Sequence, residues 1–259
     1  MLDGPAVPLR VYLAGRVRLE HPGGMLDEPR FPGRQGRLAF AYLVVDRRRA
    51  VPRDELAAVI WADEPPPSWD VALSAIVSKL RVLLSEAGLD GRQALASGLG
   101  CYQLHLPHDA WIDLEAAHDA LHQAETSLKQ GVDLVTGRNF ADVASHITRR
   151  PFLPGEEGTW VDQMRENLHG LEVRSHDCLS ALWLAVGDSG MAVTVAERAI
   201  EVDPLRESSW RNLMRGHDAA GHRVEALRAY ERCRMLLADE LGISPSAETQ
   251  ALFGELLAE

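Results

Sequence analysis

Apolar and polar positions change period along the chain. Residues 11–20, VYLAGRVRLE, alternate as a half-buried strand does. The Gly/Pro-rich stretch HPGGMLDEPRFPG follows, with room for at most one short strand. From Arg34 to Arg49, RQGRLAFAYLVVDRRR has the length and apolar face of a helix. VPRDELAAVIW reads as a short second helix, with Pro52 in a first-turn position and Asp54 and Glu55 beside the positive helix end. ADEPPPSWD breaks it, because consecutive prolines cannot continue a helix. Ser68 stands at a cap-like position before WDVALSAIVSKLRVLLSEAG, a third helix ending at Gly88. Its Leu73, Val77, Leu80 and Leu84 fall at helical spacing and form the inner stripe. ALASGLGCYQLHL, Ala94 to Leu106, reads as a hairpin of two short strands around Ser97 and Gly98. Strand, three helices and hairpin is the order of a winged helix-turn-helix, in which the third helix lies in the major groove and the wing touches the neighbouring backbone.

From about Trp111 the strand signal disappears. WIDLEAAHDALHQAETSLKQG is helical and ends at Gly131, and further helices follow, broken by RRPFLPGEEG (Arg149 to Gly158). An internal repeat lies in the last third. AVGDSGMAVTVAERAIEVDP overlays AAGHRVEALRAYERCRMLLA, with Gly187 on Gly221 and Ala192 on Ala226, each 34 residues apart. That period, with glycine in the turn and small residues inside, is the tetratricopeptide signature. The closing proline occurs at Pro204 and has no counterpart 34 residues later. The helix from Glu225 to Leu241 is then the second helix of a repeat, packed through Leu227, Tyr230, Leu236 and Leu237. Its charges form a solvated face with pairs such as Glu225–Arg228 and Glu231–Arg234. The expected fold is mainly α: an N-terminal winged helix-turn-helix with a small β-sheet and a wing hairpin (residues 1–107), followed by an all-α tetratricopeptide-like helical array (residues 108–259).

Charge refines this division. The whole chain of 259 residues carries a formal net charge of -11, which taken alone argues against nucleic acid. Residues 1–107 hold 13 Lys+Arg and 12 Asp+Glu, a net of +1, and residues 108–259 hold 14 and 26, a net of -12. The acidity thus belongs to the second part alone, and the first can approach an anion. No apolar run approaches the ~20 residues of a membrane span, so no membrane partner is expected. Met1 to Arg10 lacks a basic region followed by an apolar stretch, so no secretion signal is read. Cys101, Cys178 and Cys233 are odd in number and widely spaced, which suits reduced thiols in a cytoplasmic protein rather than disulfides or a zinc knuckle.

Several longer segments together resemble one group, the antibiotic regulatory protein (SARP) family of actinobacterial transcription activators. They are RLAFAYLVV, AVPRDELAAVIWADEPP, VSKLRVLL and GCYQLHL in the first half. In the second they are RPFLPGEEGTWVDQMRENL and the run from EVDPLRESSW through EALRAYERCRMLLADELGISPSAETQALF. The likeness covers nearly all of residues 10–257. It implies a winged-helix DNA-binding domain joined to a bacterial transcriptional activator domain of tetratricopeptide-like helices. It also implies a role: binding repeated promoter sites on double-stranded DNA and recruiting RNA polymerase. The sequence ends after the array, without the ATPase or phosphopeptide-binding module that larger relatives can carry, so a signal is expected through abundance, oligomerisation, a partner or a ligand.

Phosphate contacts supply affinity and base contacts specificity. On the third helix, Ser74, Ser78 and Lys79 are candidates for base edges or nearby phosphates, and Arg81 for the backbone or plain surface. Arg53, Arg34 and Arg37, near the starts of the second and first helices, can hold phosphates. Arg47, Arg48 and Arg49 form a basic run that either meets phosphate or caps the negative end of the first helix. The chain departs from the family pattern at Asp70, Val71 and Ile76 and in a wing, LASGLGCYQL, without Lys or Arg. These departures weaken the phosphate contribution. Two functions therefore stand: a DNA-binding activator, with a homodimer compensating for a weak single domain, or a protein-interaction scaffold in which the helical array is the working surface.

Other signals are weaker. His118 and His122, four apart, lack a third ligand at matching spacing and read as a surface pair. The six tryptophans read mostly as packing, with Trp69 beside the third helix sealing the core or lying near DNA. Neither a P-loop nor a G-x-S-x-G arrangement occurs, so no enzyme, cofactor or metal site is expected.

Overall fold

The structure, a computed structural model, describes residues 8–62 and 64–258. The chain forms two compact units, residues up to 116 with 150–168, and residues 117–149 with 169–259. In the first unit β1 (Arg10–Tyr12), β2 (Arg18–His21) and β3 (Gly24–Leu26) form an antiparallel meander. Residues 11–20 are therefore not the single strand their alternation suggests but two antiparallel strands with a bend between them, and Val11 and Leu19, partners across β1 and β2, are wholly buried. A strand expected nowhere in the sequence, β7 (Trp111–Ile112), adds in parallel to β1 with Val11 opposite Ile112. Two residues are too few to show a period, and their partner lies about a hundred residues away.

A short 3₁₀ turn (Glu28–Arg30) leads into α1 (Gly33–Val45), β4 (Val51–Pro52), α2 (Arg53–Trp61) and α3 (Trp69–Glu86). Pro52 sits one residue before α2 rather than inside its first turn, and β4 is an edge strand, where a missing N–H is tolerated. All four stripe leucine and valine positions of α3 are buried, and Ile76 and Leu83 join them against α1 and α2. After the short α4 (Gly91–Ala94), β5 (Leu95–Gly98) and β6 (Cys101–Leu104) form the wing. The hairpin turns at Leu99 and Gly100, not at Ser97 and Gly98, since Gly98 pairs with Cys101. Leu99 and Gly100 both take positive φ, +50° and +75°, as a tight hairpin turn requires. Burial of Leu95, Tyr102 and Leu104 sets this register over the alternative offered by the other glycine.

Residues 150–168 pack within the first unit. Ala14 bridges Phe152, whose ring meets Trp160 edge-on at 5.4 Å, and Trp160 in turn meets Tyr42 at 4.9 Å. The Arg165 guanidinium donates to the carbonyls of Phe152, Leu153 and Glu156 at 3.1, 2.9 and 2.8 Å. At the start of α5 (Asp113–Gln130), the buried Asp113 carboxylate accepts the N–H groups of Leu13 and Ala14 at 2.8 and 2.9 Å. Burial raises its pKa to about 6 against the opposing effect of those bonds.

The second unit is helical: the rest of α5, α6 (Leu134–Thr148), α7 (Thr159–Ala185) from His169, α8 (Ser189–Val202), α9 (Glu207–Ala219), α10 (Arg223–Leu241) and α11 (Ala247–Ala258). The 34-residue repeat is reproduced in three pairs of backbone bonds. Gly187 N–H donates to Leu184 O and Gly221 N–H to Asp218 O; Asp188 donates to Trp183 and His222 to His217; Ala192 donates to Asp188 and Ala226 to His222. Ala192 and Ala226 are both fully buried, where a larger side chain would separate the helices. Pro204 ends α8 soon after Val202, whereas α10, with no such proline, runs on to Gly242 in the left-handed conformation. Tyr230 and Leu237 are buried, Leu227 and Leu236 pack at the margin, and the Glu225–Arg228 and Glu231–Arg234 pairs form on the exposed face. Only Trp210 of the tryptophans is fully buried, and the other five, Trp69 included, are half-buried.

The turn glycines give a paired stability test. Gly221→Ala forces an L side chain to φ +75° and is expected to cost about 1–2 kcal/mol. Gly254→Ala, in the interior of α11 with open space at its Cβ position, is expected to stabilise by about 0.5–1 kcal/mol. Urea midpoints of the two variants moving in opposite directions would meet this expectation.

Candidate nucleic-acid interface

The outer surface of α3 is built from its own periodicity. With Leu73, Val77, Leu80 and Leu84 turned inward, Val71, Ala75, Ser78 and Val82 face solvent on the opposite side. Lys79 flanks that line and is exposed, with no carboxylate partner among the described residues.

At the start of α3, Arg53 gathers three elements. Its Nη2 lies 2.5 Å from Asp70 Oδ1 and donates to Asp70 O at 3.1 Å and to Ser74 Oγ at 2.9 Å. Ser74 Oγ donates in turn to Asp70 O at 2.9 Å. The Arg53 guanidinium also lies 5.3 Å from the centre of the Tyr102 ring on β6, and its backbone N–H donates to Gly100 O in the wing turn. Asp70 is thus no bare negative charge on the helix, because Arg53 neutralises it. Arg53 Nη2 and the Ser74 hydroxyl, expected at phosphates and base edges, are bonded within the protein, while Arg53 Nε is buried without a hydrogen-bond partner among the described residues. At the far end Arg81 does the same for the wing, donating from Nε to Leu95 O at 2.9 Å and from Nη2 to Ser97 Oγ at 3.1 Å.

The arginines of α1 are also engaged. Arg37 Nη2 lies 2.5 Å and Arg34 Nε 2.9 Å from the Glu156 carboxylate, which is 2% exposed. Arg34 is placed off the hydrogen-bond axis, so its contact with Glu156 Oε2 is an ion pair only. The basic run divides. Arg47 forks onto Glu115, Arg49 meets Asp46, Glu55 and Tyr42, and Arg48 is exposed without a carboxylate partner among the described residues. Burial and the Glu55 hydrogen bond raise the Tyr42 hydroxyl to about 12, and Arg49 holds Glu55 below the ordinary glutamate range. Arg92 on α4, next to the wing, was not among the sequence candidates. It is exposed and likewise lacks a carboxylate partner among the described residues. Its position directly before the first wing strand is the signal that points to it.

Elsewhere the chemistry is quiet. His118 and His122 are exposed, and no group of three metal-ligating side chains occurs among the described residues. Burial raises the thiols of Cys178 and Cys233 to about 12 and about 11, so both are packing groups rather than nucleophiles. Among the described residues no helix is long and apolar enough to cross a membrane.

A family model for the bacterial transcriptional activator domain matches residues 108–257, more than half of the chain. The chain belongs to that family. It is similar to the transcriptional regulatory protein MoaR1 of Mycobacterium bovis, 29% identical over 224 residues, covering 86% of this chain and 72% of MoaR1. It is also 29% identical over 230 residues to the transcriptional regulatory protein EmbR of Mycobacterium tuberculosis, covering 86% of this chain and 57% of EmbR. The solved structure of Mycobacterium tuberculosis EmbR in complex with a low affinity phosphopeptide superposes with a TM-score of 0.89 at 26% identity, over 96% of this chain and 65% of that one. These likenesses make the chain a transcriptional regulator of the SARP type. The match takes in the helical array of the second unit and also residues 150–168, which pack in the first.

Two outcomes are expected from the ion-pair pattern. Arg81→Ala should speed amide hydrogen exchange across β5 and β6 while leaving α7–α11 unchanged, since the wing loses its tie to α3. Glu55, with its folded pKa lowered, contributes stability that is present above the unfolded glutamate value of 4.5 and lost as pH falls through the folded one. Glu55→Gln should therefore flatten that part of an acid-unfolding curve.

Proposed function

We propose that this regulator binds double-stranded DNA through residues 1–107 and activates transcription by contacting RNA polymerase through residues 108–259. The observation that carries the reading is the outward line of α3, held to α2 and the wing by Arg53 and Arg81 and flanked by Lys79, which has no carboxylate partner among the described residues. A reading helix works only if its angle to the groove is fixed, and these two arginines fix it from either end. Ser78 and Lys79 then reach base edges or nearby phosphates, and Arg48 and Arg92 the backbone. Ser74, Arg53 and Arg81 act as positioning residues, and Arg34 and Arg37 through the Glu156 cluster rather than directly. The acidic second part, at net -12, is repelled by phosphate and is left for protein contacts: polymerase, or a second copy bound at the adjoining promoter repeat. The site of action is the cytoplasm, and the role is not enzymatic.

A second reading has its own support. Val71, Val82 and Leu99 at the wing tip are 71%, 59% and 104% exposed, an apolar set that a protein partner could cover. Measuring DNA affinity against salt separates the two. With Lys79, Arg48 and Arg92 as phosphate contacts, about three per copy, log K should fall with log salt at a slope of about -3. Lys79→Glu should weaken binding at least tenfold and make the slope shallower. Asp70→Asn should weaken binding, because it loosens the Arg53 tie that holds the start of α3 to α2. A folded protein whose affinity for promoter DNA is unchanged by Lys79→Glu would favour the protein-docking reading.

A further inference from the structure

The outward line of α3 has an unusual composition for a helix that meets nucleic acid. Val71, Ala75, Ser78 and Val82 recur at i, i+4, i+7 and i+11, so they form one narrow stripe opposite the buried one. Val71 lies in the first turn, the part of a recognition helix that meets base edges. The arginines that could fork onto a guanine are both committed within the protein, Arg53 to Asp70 and Ser74 and Arg81 to Leu95 and Ser97. Ser74 has its hydroxyl bonded on both sides. What remains at the front of α3 is a pair of small apolar side chains. The apolar feature on the major-groove edge of a base pair is the C5 methyl group of thymine.

We propose that Val71 and Ala75 read thymine methyl groups, so that thymines, rather than arginine-to-guanine forks, specify the half-site of this regulator. The inference rests on the DNA-binding reading above and adds the chemistry by which the sequence is recognised. Duplex DNA, not a protein, is the occupant of the stripe. The stripe is one side chain wide and bordered by the exposed cation of Lys79, and residues 1–107 carry the net +1 in a chain whose remainder carries -12. Lys79, one helical turn from Ala75, is placed to supply the charge contact next to the methyl contacts.

Removing the methyl group alone tests this. Duplexes are selected from a randomised pool with the purified full chain, and each thymine of the selected half-site is replaced in turn by deoxyuridine. Loss of one buried methyl corresponds to about three- to fourfold in affinity, and one or two thymines should show it. Val71→Ala, a change at an exposed position that leaves the core untouched, should remove the loss at one of those thymines, and Ala75→Ser at its neighbour. Affinity indifferent to every deoxyuridine, or a loss that persists in full in both variants, would overturn the methyl reading while leaving DNA binding intact. A pool that enriches no duplex with the folded chain would overturn the DNA-binding reading itself, and the methyl reading with it.

Discussion

Arg53 sets the constraint on which the surface of α3 depends. One guanidinium, lying against the Tyr102 ring, reaches the Asp70 carboxylate, the Asp70 carbonyl and the Ser74 hydroxyl, and the backbone of the same residue holds the wing turn through Gly100. The connection between α2 and α3 contains three prolines and, among its described residues, no strand or helix of its own, so it cannot by itself define the angle between the two helices. A charge-assisted network can, because each bond restricts a different direction. Arg81 supplies the matching restraint at the other end of α3. The cost is two arginines withdrawn from direct contact with any ligand. The outward line of α3 then consists of valine, alanine and serine, with Lys79 beside it.

The same trade recurs in α1. Arg34 and Arg37 meet the buried Glu156, and Arg165 closes the surrounding loop by donating to three of its carbonyls. Residues 150–168 thereby become part of the first compact unit although the family match that contains them begins at residue 108. A carboxylate so buried costs free energy unless cations pair with it, and Arg37 supplies two hydrogen bonds and Arg34 a further ion pair. Sequence families and compact units answer different questions. The first records common descent along the chain, the second records which residues bury one another.

Much of the architecture could be read before the structure was known, because its signals are local. The inner stripe of α3, the break at the prolines and the glycine turns of the repeat each announce themselves within a few residues. The 34-residue spacing of Gly187 and Gly221 carries through to the same three backbone bonds. What escaped was non-local or degenerate. Strand β7 is defined by a partner on β1, and the hairpin register by burial of Tyr102 and Leu104 rather than by its two glycines. The site suffered most. Asp70 reads as a repulsive charge in sequence and as half of an ion pair in space. Arg37 reads as a phosphate ligand until Glu156, 119 residues on, is placed beside it. Exposure and spacing can be inferred from periodicity, but a side chain's partner across the fold cannot.

The most direct measurement is an amide chemical-shift map of the isotopically labelled chain titrated with a promoter duplex. Shifts concentrated at Val71, Ala75, Ser78 and Lys79 and at the wing turn of Leu99 and Gly100 are expected, with α10 and α11 silent. Shifts confined to the helical array, or none at all from a folded protein, would contradict the assignment of α3 as the reading helix.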